Sequence, residues 1–288
     1  MKRSVLAAHL MPLLIPFSLF FVYGMVLTLA QSTGWGAVDD YRGGFFSAYE
    51  KILKDPLFLQ STIYSLWIAL ASSVGALFFG SLLALAIWQL PRRFKLLAGI
   101  YRLPIILPHI TIAFIVLFLF SNRGMVPALF YHWSSGETLG PFSNLLYSRG
   151  GGAIILAYIY KEAPFVVLME LAVLQNIPEE RIITARQLGA GGFRIYLRVI
   201  LPQLRAVINT LFVILFLYSL GAFDIPFILG ISEPSMLSIQ IYNLYFKSDL
   251  VNRPLVMARL SLMFLFSLGF ILIYLKAAKN LDERVRKI

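Results

Sequence analysis

Residues 61–90 read STIYSLWIALASSVGALFFGSLLALAIWQL, thirty positions without a single ionisable acid or base. A helix needs about 20 predominantly apolar residues to cross the hydrocarbon core of a bilayer. Lipid offers no partner for backbone N–H and C=O groups, so a spanning segment must satisfy them within itself, and a helix does so. The strand of a membrane β-barrel would alternate polar and apolar residues with period two. Stretch 66–90 shows no such alternation. Five further stretches are apolar at comparable length, about 8–30, 104–120, 152–175, 206–229 and 255–275. The expected fold is an all-α membrane protein with six spans.

Composition agrees. The 288 residues are 59% hydrophobic and only 14% charged, with a mean hydropathy of +0.79. Soluble domains carry about a quarter charged residues. The net charge of +11 would suit a nucleic-acid partner if the basic residues were clustered on one surface. They sit instead in short gaps between apolar runs, where Lys and Arg face anionic lipid. Nucleic acid is therefore set aside and membrane lipid is the expected contact. The absence of cysteine excludes disulfides, thiol catalysis and thiolate metal sites. Lys2 and Arg3 followed by an apolar run to Ala30 resemble a signal peptide, but the run exceeds the usual apolar core of about 7–15 residues. It reads as an uncleaved first span.

The basic residues also orient the chain. Lys2, Arg3, Arg92, Arg93, Lys95, Arg102, five arginines between 181 and 205, and five basic residues between 276 and 287 all fall in alternate gaps. These are 16 of the 25 Lys and Arg; the other gaps hold seven. The excess places both termini in the cytoplasm. The outer segments 31–60 and 121–151 are rich in Gly, Ser, Tyr and Trp, and Ser47–Leu53 suits a short interfacial helix. No polar gap is long enough to fold as a separate soluble domain, so the chain reads as one membrane domain, 1–288.

Between the fourth and fifth spans lies NIPEERIITARQLGAGGFRIYLRVILP, residues 176–202. Pro178 suits a first helical turn, and Glu179 and Glu180 favour the positive end of the helix dipole. The pattern predicts a helix to about Leu188, a break at Gly189-Ala190-Gly191-Gly192, and a second short helix from Phe193 that ends at Pro202. Ile182, Ala185 and Leu188 recur on one side. Physics alone leaves two readings open: an amphipathic connector on lipid headgroups, or a projection shaped to sit in a groove on a partner.

This segment resembles the cytoplasmic signature loop of binding-protein-dependent ABC importer permeases. The family pattern is Glu-Ala-Ala, three residues, Gly, nine residues, then Ile-x-Leu-Pro, after an Ile-Pro-x-Glu lead-in. Ile177, Pro178 and Glu180 match the lead-in, Ala185 the third motif position and Gly189 the glycine, and Val199-Ile200-Leu201-Pro202 the close. Ile183 stands where the family has Glu, and Thr184 where it has Ala. Asp55–Leu66, the Leu103-Pro104 and Leu107-Pro108 pairs and Gly221–Gly230 add to the likeness, which covers about 41–276.

The resemblance implies a six-helix type I importer permease fold in a bacterial inner membrane. It implies a non-catalytic subunit, with ATP and Mg held by a separate cytoplasmic ABC ATPase dimer. A second permease, identical or homologous, and a periplasmic or lipid-anchored solute-binding protein would complete the machine. Within the coupling loop, 176–203, the residues implied to meet the ATPase are Glu180, Arg181, Thr184, Ala185, Arg186, Leu188, Gly189, Ala190 and Gly191. The sequence agrees that any motor is elsewhere, because it has no Gly-Lys pair and hence no phosphate loop. No cofactor or metal is expected in this chain.

Charge inside a span is costly and points to function. Glu170 either faces a solute pathway or pairs with a partner helix, and Phe223, Asp224 and Pro226 either form a gate or solute contact or mark a break at the helix end. Lys161 and Glu162 are expected near the outer end of span four, and Arg259 is expected to snorkel at the start of span six. His9, His109 and His132 have no metal-ligand spacing, and His109 reads as a packed, hydrogen-bonded side chain.

Leu188-Gly189-Ala190, in place of the Asp-Gly-Ala of sugar-type permeases, together with Gly221-x-Phe223 and Pro226-x3-Gly230, resembles the branch that imports polyamines, thiamine, ferric iron or organophosphonates. The alternative is a sugar or glycerol-phosphate importer. Outside the family, the rivals are an ion-driven secondary transporter and a membrane-embedded enzyme. The chain has neither Gly-x-Ser-x-Gly nor His-Glu-x2-His to support the latter.

Overall fold

The computed structural model describes residues 3–36, 44–91, 97–133 and 145–286. Of the basic residues used for orientation, Lys2, Arg42, Arg92, Arg93, Lys95 and Lys287 lie outside them. The described residues are helical or irregular, without strands. The helices are α1 (Arg3–Phe17), α2 (Tyr23–Ser32), α3 (Ser47–Leu53), α4 (Pro56–Gln89), α5 (Leu103–Ile106), α6 (His109–Phe120), α7 (Met125–Trp133), α8 (Gly152–Leu174), α9 (Glu179–Gln187), α10 (Gly192–Ile195), α11 (Leu201–Gly221), α12 (Asp224–Leu229), α13 (Leu237–Lys247) and α14 (Arg253–Arg286). Among the described residues, six stretches are long and apolar enough to span: Leu10–Ser32, Pro56–Gln89, His109–Trp133, Gly152–Leu174, Gly192–Gly221 and Leu250–Ala277.

Three boundaries differ from the sequence reading, two of them at a proline. The third span does not run from 104. The helix stops at Leu107, whose ψ of 136° is extended, and restarts after Pro108, because proline lacks an N–H and disfavours a helical predecessor. The fifth span does not start after Pro202. A π turn, Tyr196–Ile200, joins α10 to α11 across it, and such a turn absorbs the missing donor. The same span ends at Gly221 rather than 229, and Asp224–Leu229 is a separate short helix. Pro164, by contrast, lies inside α8 without ending it.

The chain packs as two compact units. One comprises residues 1–60 and 240–276. Here Arg259 is only 11% exposed and its Nη2 donates to Asp55 Oδ2 at 2.6 Å. Its Nη1 donates to Gln240, and the guanidinium stands over the Phe58 ring. The expected snorkelling is therefore corrected: an acid within reach draws the cation inward. Residues 10–22 are exposed on every side. In α3, the expected short helix, Lys54 donates to Glu50 at 2.6 Å and holds its carboxyl below the usual range.

The other unit comprises residues 61–239 and 277–288. Its axis is α8, with buried residues on several faces along its whole length. One core joins Tyr64, Ile68, Ile112, Val116, Ile154, Tyr158, Ile225 and Leu229. Another joins Ala84, Val167, Leu174, Ile177, Ile182, Ile195 and Leu204. Small residues bring α4 against α8: a Cβ on Gly80 would lie 2.6 Å from Val166 Cβ and 2.9 Å from the Ala163 carbonyl oxygen.

Candidate functional site

The segment between α8 and α11 forms an elbow. Pro178, extended at ψ 128°, caps α9, and Glu179 and Glu180 occupy its first turn. The helix closes at Gly189, whose φ of +79° is left-handed and suits glycine. The Gly189 and Ala190 N–H groups return to the Arg186 and Ala185 carbonyls. Ile177, Ile182 and Ile195 are buried, with Ala185 and Ala190 packed against them, fastening the elbow to the ends of α4 and α8.

The outer face is open. Glu180, Arg181, Thr184, Arg186, Leu188, Gly189 and Gly191 are exposed, while Ala185 and Ala190 are half-buried. Leu188 is 83% exposed. It does not share the buried face of Ile182, because six residues place it about 120° round the helix from that side chain. Phe193 and Ile183, the residue replacing the motif Glu, are also exposed. Among the described residues, nothing lies within 4 Å of a Cβ on Gly189, Gly191 or Gly192. The elbow thus presents bare backbone and apolar side chains together, which suits contact with a protein surface. A cleft of about 600 Å³ opens beneath it, between Trp88 and Gln89 of α4 and Glu179, Ile183 and Arg186 of the elbow.

The pathway candidates lie in two places. Glu170 is fully buried and accepts from Ser81 Oγ at 2.5 Å across α8 and α4; its second carboxylate oxygen has no partner among the described residues. Pro226 is buried in the core of α12. Asp224 is exposed at the start of that helix, and Phe223, half-buried, stacks on Phe227. Phe223, Asp224 and Pro226 share the start of α12, while Glu170 lies on α8 against α4.

A polar group that does converge lies further up α8. Glu162 Oε1 and His109 Nε2 are 3.3 Å apart, with the side chains 13% and 27% exposed. The His109 ring lies 5.1 Å from that of Tyr218, which is 38% exposed and meets Tyr158 edge-on. The Tyr158 hydroxyl, fully buried, has no partner among the described residues. Lys161 does not reach an outer headgroup zone: it is 8% exposed and donates to the carbonyls of Pro104, Ile105 and Leu107 at 2.8, 3.0 and 2.6 Å. The break at Leu107–Pro108 explains both contacts, since it leaves carbonyls in need of a donor and turns His109 towards α8. Two adjacent charges in mid-span were the visible signal; the partner on another helix was not.

Residues 76–287 match the family described as the inner membrane component of binding-protein-dependent transport systems. The chain belongs to that family. It is an ABC importer permease subunit, a transport component rather than an enzyme. It is 30% identical to the sulfoquinovosyl glycerol transport system permease of Agrobacterium fabrum, over 77% of this chain and 71% of that one. It is 27% identical to the xylose/arabinose import permease of Haloferax volcanii, over 70% and 62%. The fold is shared with a solved bacterial ABC transporter involved in alginate import, at a TM-score of 0.79 and 20% identity over 97% of this chain and 96% of that one.

Proposed function

We propose that this permease imports a sugar or glycoside across a bacterial inner membrane, powered by a cytoplasmic ATPase dimer that docks on the elbow. The observation that carries the substrate class is the 30% identity, over three-quarters of the chain, to a permease for a sugar-glycerol conjugate, joined by a pentose permease. The likeness to the polyamine, thiamine, iron or phosphonate branch rested on Leu188-Gly189-Ala190 together with Gly221-x-Phe223 and Pro226-x3-Gly230. The Leu188 side chain points out of the elbow, so its identity speaks to the docked partner and not to the solute.

The accessible group of Glu162, His109 and Tyr218 is the proposed solute contact of this subunit. A carboxylate accepts hydroxyl hydrogen bonds, an imidazole donates or accepts, and a tyrosine face covers the apolar side of a pyranose ring. Among the earlier candidates, Asp224 and Phe223 are open enough to meet solute, while Glu170 and Pro226 are enclosed. Partners remain the ATPase dimer, a second permease and a solute-binding protein, with ATP and Mg confined to the ATPase.

The test is uptake by the complete transporter in liposomes, with ATP inside and the binding protein outside. Labelled glycosides and pentoses should be taken up and should raise ATP hydrolysis. Transport of spermidine, thiamine or ferric iron in their place would overturn the substrate class. Absence of any ATPase in the purified assembly would overturn the importer reading itself.

A further inference from the structure

The break in the third span leaves three carbonyl oxygens without helical donors, and the chain itself shows why. Four residues beyond Pro104 stands Pro108, which has no N–H. Ile105 and Leu107 precede an extended residue and a restarted helix, in which the Thr111 and Ile112 N–H groups go to the Pro108 carbonyl. The Lys161 ammonium has three N–H donors, and it meets these three oxygens at 2.6 to 3.0 Å. The next residue, Glu162, takes His109, the first residue of α6. Two consecutive side chains of α8 thus grip opposite sides of one break. The ammonium meets the open carbonyls at the end of α5, and the carboxylate meets the side chain of the first residue of α6.

From Lys161 to Leu174, α8 is one continuous helix, about 20 Å long. Beside Pro164 it is held against α4 by the close approach of Gly80 to Ala163 and Val166. At its far end it runs through Gln175–Pro178 into the elbow. We propose that Lys161 is a positioning residue for transport: its grip on the α5–α6 break carries displacement of the elbow, along α8, to the His109–Glu162–Tyr218 group. This rests on the importer reading above. A lysine serving only to satisfy carbonyls would be replaceable by any other donor, whereas a linkage requires the tie to α8 itself.

The test uses the complete transporter in liposomes. Lys161→Met should leave the ATPase bound and binding-protein-stimulated hydrolysis within about two-fold of wild type, while solute moved per ATP falls at least about ten-fold. Lys161→Arg, which restores donors from the same helix, should recover part of that loss. Because Lys161→Met leaves buried carbonyls unsatisfied, Lys161→Met with Pro108→Ala is the second variant. It returns an N–H to the Pro104 carbonyl without restoring the tie to α8. The double variant should assemble better than Lys161→Met alone, by melting temperature and ATPase content, and still transport poorly. Normal solute-to-ATP stoichiometry in either methionine variant would overturn the proposal. A wild-type assembly that holds no ATPase would fail the importer reading instead, so the two failures are distinct.

Discussion

The elbow and the middle of α8 are both rich in charge, and they spend it in opposite ways. Along the elbow, Glu180, Arg181 and Arg186 stand in solvent, where such groups lose little solvation and carry little energy. Its apolar residues divide instead: Ile177, Ile182 and Ile195 anchor it inward, while Leu188 and Phe193 are left bare. In mid-α8 the charges of Lys161, Glu162 and Glu170 are turned into the protein and met by Pro104, Ile105, Leu107, His109 and Ser81, with the second Glu170 oxygen unpartnered among the described residues. A bare surface implies a partner yet to arrive; a matched interior implies a joint already made. The difference separates where force enters this permease from where it is passed on.

The largest effect on that contrast should come from Gly80→Leu. The new side chain meets the α8 backbone and Val166, so the variant should lose about 3 kcal/mol of stability and melt several degrees lower, with elbow and interior failing together. Leu188→Glu should act on the elbow alone. The side chain is exposed, so the melting temperature should hold, while affinity for the ATPase falls about 30-fold, the equivalent of about 2 kcal/mol at an interface centre. Unchanged binding in pull-down would remove Leu188 from the docking face.

Ser81→Ala should act on the interior alone. It leaves Glu170 without its hydrogen-bond partner in a closed site, and should cost about 1.5 kcal/mol by denaturant titration, with ATPase affinity untouched. The smallest effect is expected of Gly189→Ala. Space is open there, but the left-handed backbone costs a non-glycine residue about 1 kcal/mol. Increased hydrogen exchange confined to 186–192 would report it, and a change spread through α8 would blur the distinction between the two regions.

The sequence alone determined the solvent of this protein and the spacing of its elbow. Long charge-free runs such as 61–90 admit no packing other than helices in lipid, because backbone groups there must bond within their own segment. The Ile177 to Pro202 spacing is also linear information, readable because the glycine and the prolines act on their own neighbours. Tertiary structure decided where the interior charges go. Lys161, Glu162, Glu170 and Arg259 look alike in a string, each an ion in an apolar run. Their partners at 104–107, 109, 81 and 55 lie 53 to 204 residues away in sequence. A side chain's solvation is set by what packs against it, and that proximity exists only after the helices have met.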